Sequence, residues 1–379
     1  MKHYAFALFR YFPHGGLQRD MMRIADELVS RGDKITIYCR DWEGELPCDG
    51  IDVVTLPARG LSNHARAKNF CRQLAAALRK DGHDLFVAFN RIPGADILFA
   101  ADNPFAPAAR RHLGIWSRLL PRYRTFAQLE RGVFAPESKT LIMTLTRRQQ
   151  EEFQAFYHTQ EERFFLLPPG LPEDFRMPDN PATVRKRKRA ELGIGDGETV
   201  LLLAGSGFRT KGVDRAIAAL ASQPQETLSC LRLLIAGRGN RKRAEKLARR
   251  LGIVGNVDVL GPRDDIRDLM VSADLLIHPA RNEAAGNVLI EALATGLPVL
   301  VSGNCGFAGI IAEAGGVVLD EPFRQRNLNM ALQLTLTTPG RLDELKREAA
   351  AAGASGDFYR RAAVAADLIE RVAAGKTQV

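Results

Sequence analysis

The sequence lacks the marks of several protein classes. Cysteine is scarce: Cys39, Cys48, Cys71, Cys230 and Cys305 are odd in number and form no C-x-x-C pair. A disulfide framework or a zinc site is therefore not indicated, and a reducing cytoplasm fits best. No apolar run approaches the ~20 residues needed to cross a bilayer. The N-terminal run from Tyr4 to Phe9 is cut off by Arg10, too short for a signal peptide and without a small-residue cleavage site. No Walker A spacing and no dinucleotide fingerprint occurs, which argues against a P-loop NTPase and weakens a nicotinamide-enzyme reading. The chain also contains no D-x-D, a common cation-holding pattern.

What is present is ordinary globular composition, 46% hydrophobic and 26% charged. At 379 residues the chain suits two domains of roughly 150–200 residues each. The net charge of +9, from 53 Lys and Arg against 44 Asp and Glu, calls for an anionic partner. Nucleic acid, an anionic membrane face or a phosphorylated substrate would each satisfy it. No RNP or C2H2 zinc-finger spacing accompanies the charge, so a basic nucleic-acid-binding protein is the weaker alternative.

Strand signals alternate with helical stretches in both halves, which predicts doubly wound parallel α/β domains. In the first half the strands fall at His3 to Leu8, Lys34 to Cys39, Val53 to Leu56 and Leu85 to Phe89, with another before Asp102. Helices are expected from Leu17 to Arg31 and Ala65 to Lys80, with Asn63, His64 and Asn90 in loops. Gly15-Gly16 lies between the first strand and its helix, where open parallel sheets place ligands; a tight turn is the other use of such a pair. Leu166-Leu167-Pro168-Pro169-Gly170 reads as the crossing to the second domain. The basic run Arg185 to Arg189 opens a helix from Val184 to Leu192 and reads as a solvated surface. A second sheet is built from Val200 to Ala204, Leu231 to Ala236, Val257 to Leu260, Leu275 to His278 and Val299 to Ser302, and Phe358 to Ala373 reads as a closing amphipathic helix.

The most informative stretch runs from Ala273 to Gly303. A buried strand is followed by a loop, a helix opening near Asn287, and a second strand; Val288, Leu289, Ala292 and Leu293 repeat with helical spacing. Glu283 lies on the loop and Glu291 about one turn into the helix, with Ala284, Ala285 and Gly286 between them carrying no bulk. Free N–H groups and the positive end of the helix dipole seat a diphosphate. One carboxylate can then accept from a ribose diol and the other from sugar hydroxyls. Gly205-Ser206-Gly207 with Lys211-Gly212 follows the first strand of the same domain, and Lys211, with Arg209 beside it, can neutralise a diphosphate.

The E-x7-E pattern, with FPHGGLQRD (12–20), DWEGE (41–45), FNRIPGADILFAAD (89–102), LLPPG (166–170), KGVDRAIAAL (211–220) and HPARNEAAGNVLIEAL (278–293), resembles glycosyltransferase family 4. The wording is closest to its subgroup of lipopolysaccharide core glucosyltransferases. The resemblance implies a GT-B fold, two Rossmann-like domains with the active site in their cleft. The domains would span 1–167, with about 356–379 packing back on the first, and 168–355. It implies a retaining, metal-independent hexosyltransferase that needs no cofactor and moves glucose from UDP-glucose to a heptose of the inner core. A relative using another UDP-hexose or acceptor is the alternative. Carried over residue by residue, it makes Glu283, Lys211 and Asp102 catalytic and places Gly15, Gly16 and Asp20 against the donor. It assigns Arg263 to the uracil, largely through its backbone, and Ala284, Ala285, Gly286, Asn287, Val288 and Glu291 to the donor helix. Many members have an arginine where Ser206 stands, so Arg209 is the replacement. The subgroup places an arginine directly after the Asp of the crossing loop, whereas here Phe175 comes first and Arg176 next.

Residues 103–132 hold Arg110, Arg111, Arg118, Arg122, Arg124 and Arg131 against the single acid Glu130, with Phe105, Trp116, Tyr123 and Phe126 interleaved. Such a stretch can bind anionic headgroups; a solvated helix whose aromatics are core is the alternative. The lipid-linked acceptor implied by the resemblance favours peripheral attachment to the cytoplasmic face of the inner membrane through Trp116, Arg118, Arg122 and Arg124.

Overall fold

The computed structural model describes residues 1–376 except 14, 48, 108 and 110–119. The chain divides into two compact units: unit 1 is Met1–Gly170 with Arg360–Val379, and unit 2 is Leu171–Tyr359.

Unit 1 is built on seven parallel strands: β1 (His3–Tyr11), β2 (Lys34–Trp42), β3 (Ile51–Thr55), β4 (Leu85–Ala88), β5 (Ile97–Ala100), β6 (Leu141–Thr144) and β7 (Phe164–Leu166), in the order β3-β2-β1-β4-β5-β6-β7. Strand β1 pairs with β2 from His3↔Lys34 to Tyr11↔Trp42 and, on its other side, with β4 from Tyr4↔Leu85. Strands β4 and β5 are buried along their whole length, as expected of a parallel sheet covered on both faces. Unit 2 repeats the plan with β8 (Thr199–Ala204), β9 (Leu231–Ala236), β10 (Val257–Gly261), β11 (Leu275–His278), β12 (Val299–Ser302) and β13 (Val317–Leu319), in the order β10-β9-β8-β11-β12-β13. Its register runs through Thr199↔Leu231 and Leu275↔Leu201. The winding direction reverses between β1 and β4 in one sheet and between β8 and β11 in the other. Loops at the carboxyl ends of those strands diverge and leave room for a ligand.

Three expectations need correction. Asn63 and His64 open the helix Asn63–Asp81 instead of lying in a loop, because the Ser62 side chain caps the Ala65 N–H. The closing helix starts at Arg361, not Phe358. The basic run is a solvated face only at Lys186 and Arg187. In the helix Pro181–Glu191, Lys188 and Arg189 are buried. Lys188 pairs with Asp265 and Glu191 at 2.6 Å each. Arg185 donates to Asp274 at 2.7 Å and to the Ser272 and Ala273 carbonyls at 2.8 Å. The cause is Asp274, a buried carboxylate that also accepts from the Val200 N–H and pairs with Lys346 and Arg189. Burial works to raise its carboxyl, but Lys346 and these other donors hold it below the usual range. In the segment 103–132, Phe105 and Tyr123 pack at 6.0 Å between ring centres and Phe105 and Phe126 at 5.7 Å. These three aromatics of the arginine-rich stretch therefore pack on one another. Arg122 and Arg124 are exposed on the helix Pro121–Phe134, and Trp116 and Arg118 lie outside the described residues.

Unit 1 is closed by the helix Arg361–Lys376. Arg361 donates to Asp20 at 3.1 Å and to the Pro168 carbonyl at 3.0 Å, with both charged side chains buried. Burial outweighs the attraction for both, raising the Asp20 carboxyl and lowering Arg361.

Candidate active site

In unit 2 the loops after β8 and β11 are laced together. The Arg281 N–H donates to the Thr210 carbonyl at 2.7 Å, and its guanidinium donates to the Arg209 carbonyl at 2.8 Å. The same guanidinium grips both oxygens of Asp214 at 2.7 Å, a fork geometry specific to arginine. Arg215 donates to the Pro279 and Ala280 carbonyls at 3.1 and 3.2 Å. The approach is so close that a Cβ on Gly212, at φ +76°, would lie 2.0 Å from the Pro279 carbonyl oxygen; only glycine fits.

This lacing brings Lys211 onto the carboxylate of Glu283, with which it forms an ion pair. His278, the last residue of β11 and fully buried, places Nε2 at 3.4 Å from the same Oε2 atom. Its Nδ1 is buried without a partner, which assigns the proton to Nε2. Burial pushes the imidazole below its ordinary value, so the ring is a neutral donor. Burial works to raise the Glu283 carboxyl, but the His278 hydrogen bond and Lys211 hold it down at about 2. Glu283 is therefore a carboxylate. No side-chain donor among the described residues reaches its Oε1, which is left to accept from hydroxyl groups. The loop beyond is pinned to the turn after β12: the Glu283 carbonyl accepts from Gly306 at 3.2 Å and the Ala285 carbonyl from Phe307 at 2.9 Å.

Gly286, at φ +91°, starts the helix Asn287–Ala294. Ala285 and Gly286 are buried, while Ala284, Asn287 and Val288 are partly exposed. The first N–H groups of the helix have no acceptor within it. Glu291 is partly buried in the second turn. Arg209 is exposed on the short helix Phe208–Lys211. The Arg263 guanidinium is engaged by Asp265 at 2.7 Å and Glu191 at 3.3 Å, so its backbone is the part left for a ligand. Unit 2 thus brings together Lys211, Glu283 and the helix start; Arg176 pairs with Glu173 and stacks on Tyr359 at 4.0 Å.

Unit 1 holds the other predicted residues. Gly15 caps the helix Gly16–Ser30, and a Cβ on Gly16 would meet nothing within 4 Å. Asp20 is taken up by Arg361, as described above. Asp102 is exposed at the rim of a cavity of about 180 Å³ whose wall includes Phe9, Phe89, Phe99 and Phe126, with Asn90 and Arg91 also at its edge. Asn90 accepts from the Phe9 N–H at 2.7 Å and ties β1 to β4.

Sequence reasoning missed two groups. His278 reads as the end of an apolar strand, and only the Pro after it hinted at a loop position. Glu130 reads as the lone acid of an arginine-rich stretch. In the structure it is fully buried and accepts from the Phe105 and Ala106 N–H groups at 2.7 and 2.9 Å, from Tyr157 at 2.5 Å and from Arg91 at 2.8 Å. Arg91 also donates to the Asn103 carbonyl at 2.6 Å, so Glu130 fixes the segment that follows Asp102.

Comparison with known proteins agrees with this arrangement. The family model for Glycosyltransferase Family 4 matches residues 14–175, and that for Glycosyl transferases group 1 matches residues 184–352. Two doubly wound units with these matches define a glycosyltransferase of the GT-B fold. The chain is 41% identical to the lipopolysaccharide glucosyltransferase WaaG of Escherichia coli (strain K12), covering 88% of this chain and 89% of that one. The crystal structure of WaaG superposes with a TM-score of 0.88 at 39% identity, covering 97% and 99% of the two chains. Anabaena HepE, solved in complex with UDP-glucose, shares the fold with a TM-score of 0.73 at 17% identity over the whole of both chains. The chain belongs to the WaaG family of glycosyltransferases.

Proposed function

We propose that this enzyme moves glucose from UDP-glucose to a heptose of the lipopolysaccharide inner core with retention of configuration. The observation that carries the proposal is the ionised, partly open Glu283 held against Lys211 at the switch point of unit 2, beside a helix start. The identity to a lipopolysaccharide glucosyltransferase supports the acceptor class. In this reading Lys211, Arg209 and the N–H groups around Asn287 hold the diphosphate, Glu291 the ribose, the Arg263 backbone the uracil, and Glu283 the sugar hydroxyls. Gly15, Gly16 and Asp20 belong to the donor side contributed by unit 1, and Asp102 is a polar group beside the reacting carbon.

The reaction follows from these roles. The bond from the sugar C1 to the β-phosphate oxygen breaks, and the acceptor oxygen bonds to C1 on the same face. The acceptor's proton passes to the departing phosphate oxygen. Negative charge grows on the diphosphate, and preorganised positive groups lower that barrier. Glu283 is pinned by His278 and Lys211 as an acceptor of hydrogen bonds, which suits orienting the sugar. We assign the positive charge to side chains and N–H groups and no role to a metal, so activity should persist undiminished in excess chelator; a requirement for Mg²⁺ or Mn²⁺ would overturn that assignment.

No helix among the described residues is long and apolar enough to cross a membrane. We place the enzyme peripherally on the cytoplasmic face of the inner membrane, with Arg122 and Arg124 among its contacts and with no nucleic-acid partner. The deciding experiment is a donor screen that measures UDP release with a lipid-linked core acceptor and follows the anomeric configuration of the product. Preferential release from UDP-galactose or UDP-N-acetylglucosamine would move the assignment to another hexose, and release from none would end it.

A further inference from the structure

Unit 2 is close to neutral, with 25 Lys and Arg against 23 Asp and Glu, but its charge is not spread evenly. Residues 238–250 hold seven cations, Arg238, Arg241, Lys242, Arg243, Lys246, Arg249 and Arg250, against the single acid Glu245. All seven are exposed, while Ala244 and Ala248 face inward and anchor the helix Arg241–Arg250 to the core. Among the described residues the only ion pair of this group is Arg241 with Glu245 at 2.6 Å.

Arg241, Lys242 and Arg243 occupy the first turn, which contains no acid. Cations there oppose the helix dipole, so selection for stability alone would place acids at these positions. Immediately beyond the helix, Leu251 and Val254 are 39% and 55% exposed. No aromatic residue occurs between 238 and 256.

We propose that this face is a docking surface for anionic phospholipid headgroups, a membrane contact on unit 2 separate from residues 103–132. The cations complement lipid phosphates, and the two aliphatic side chains suit shallow insertion at the acyl boundary. A nucleic acid would use the cations but has no use for exposed aliphatic groups, and stacking rings for its bases are lacking. The proposal goes beyond the transferase reading and does not depend on the donor site.

The test uses the full chain and co-sedimentation with phosphatidylcholine vesicles with and without phosphatidylglycerol, in the absence of sugar nucleotide. The variant combines Lys242→Gln, Arg243→Gln, Lys246→Gln and Arg249→Gln. Each basic side chain near an anionic surface is worth about a fivefold factor, so binding to the anionic vesicles should fall by at least about tenfold. UDP affinity should not change, and the unfolding temperature should stay level or rise, because the dipole conflict is relieved; a purely structural role would lower it. Leu251→Gln with Val254→Gln should weaken binding without altering its salt dependence. The same loss should appear in an Arg122→Gln, Arg124→Gln background, which separates this face from the unit 1 segment. Undiminished vesicle binding by the fourfold variant would overturn the proposal. So would a loss confined to single-stranded RNA binding, which would identify a nucleic-acid face instead.

Discussion

Unit 1 and unit 2 wind their sheets in the same order, outward from a first strand whose other neighbour is the fourth. At that shared point the side chains differ. In unit 1, Phe9 and Phe89 line a cavity that has Asn90, Arg91 and Asp102 at its edge. In unit 2, Lys211, His278 and Glu283 form a charged cluster whose loops are cross-linked by Arg281 and Arg215. The winding supplies an opening in each case, and the residues decide its use. The charged opening is suited to a phosphorylated donor, and the aromatic one to a sugar or other partly apolar group.

The largest effect that separates the two openings should come from Lys211→Ala or Glu283→Ala. Losing a preorganised electrostatic contact typically costs ~10²–10³ in rate, and both proteins should keep wild-type circular dichroism. A folded variant turning over within a few-fold of the parent would erase the distinction between the units. Arg361→Ala probes unit 1. It leaves the buried Asp20 carboxylate without its closest partner, and breaking such a pair costs about 3 kcal/mol. Chemical denaturation should show that loss; an unchanged stability would mean that the Arg361–Asp20 pair does not hold the closing helix on unit 1.

Glu291→Ala should weaken UDP binding by about tenfold, equivalent to ~1.4 kcal/mol, with little change in kcat, because the ribose contact proposed for it is remote from the breaking bond. Isothermal titration with UDP checks this, and unaltered affinity removes Glu291 from the donor site.

The smallest effect concerns pH. Glu283 titrates at about 2 in the folded protein against an ordinary value of 4.5. Its depressed value contributes stability that is fully present above pH 4.5 and is lost as pH falls through about 2. Lys211→Met removes one of the two groups that hold it down, so the loss should begin at a higher pH. Carboxyl-carbon NMR reads the shift directly; an unmoved titration would mean that His278 alone sets the value.

Legibility in the sequence followed the range of the contacts. The helix start at Asn287, its small residues and Glu283 lie within a few positions of one another, so periodicity and spacing revealed them together. Lys211 followed from a glycine loop after a strand. Asp274 could not be found this way, because its partners are Arg185, Arg189 and Lys346. The same holds for Glu130, whose donors come from residues 91, 105, 106 and 157. The basic run looked like surface because a sequence window shows charges but not distant carboxylates. Strands β7 and β13 have only three residues each, too few for alternation to register.

The return of residues 360–379 to unit 1 has a consequence for the order of synthesis. All of unit 2 is interposed between the bulk of unit 1 and the helix that closes it, so a ribosome releases unit 2 while unit 1 still lacks the Arg361–Lys376 helix and its partner for Asp20. Domains tend to fold as they emerge, the N-terminal one first; here the order is partly inverted, and the earliest-made sheet waits longest for its final element. The nascent first half therefore presents an uncovered helix flank to chaperones throughout translation of the second.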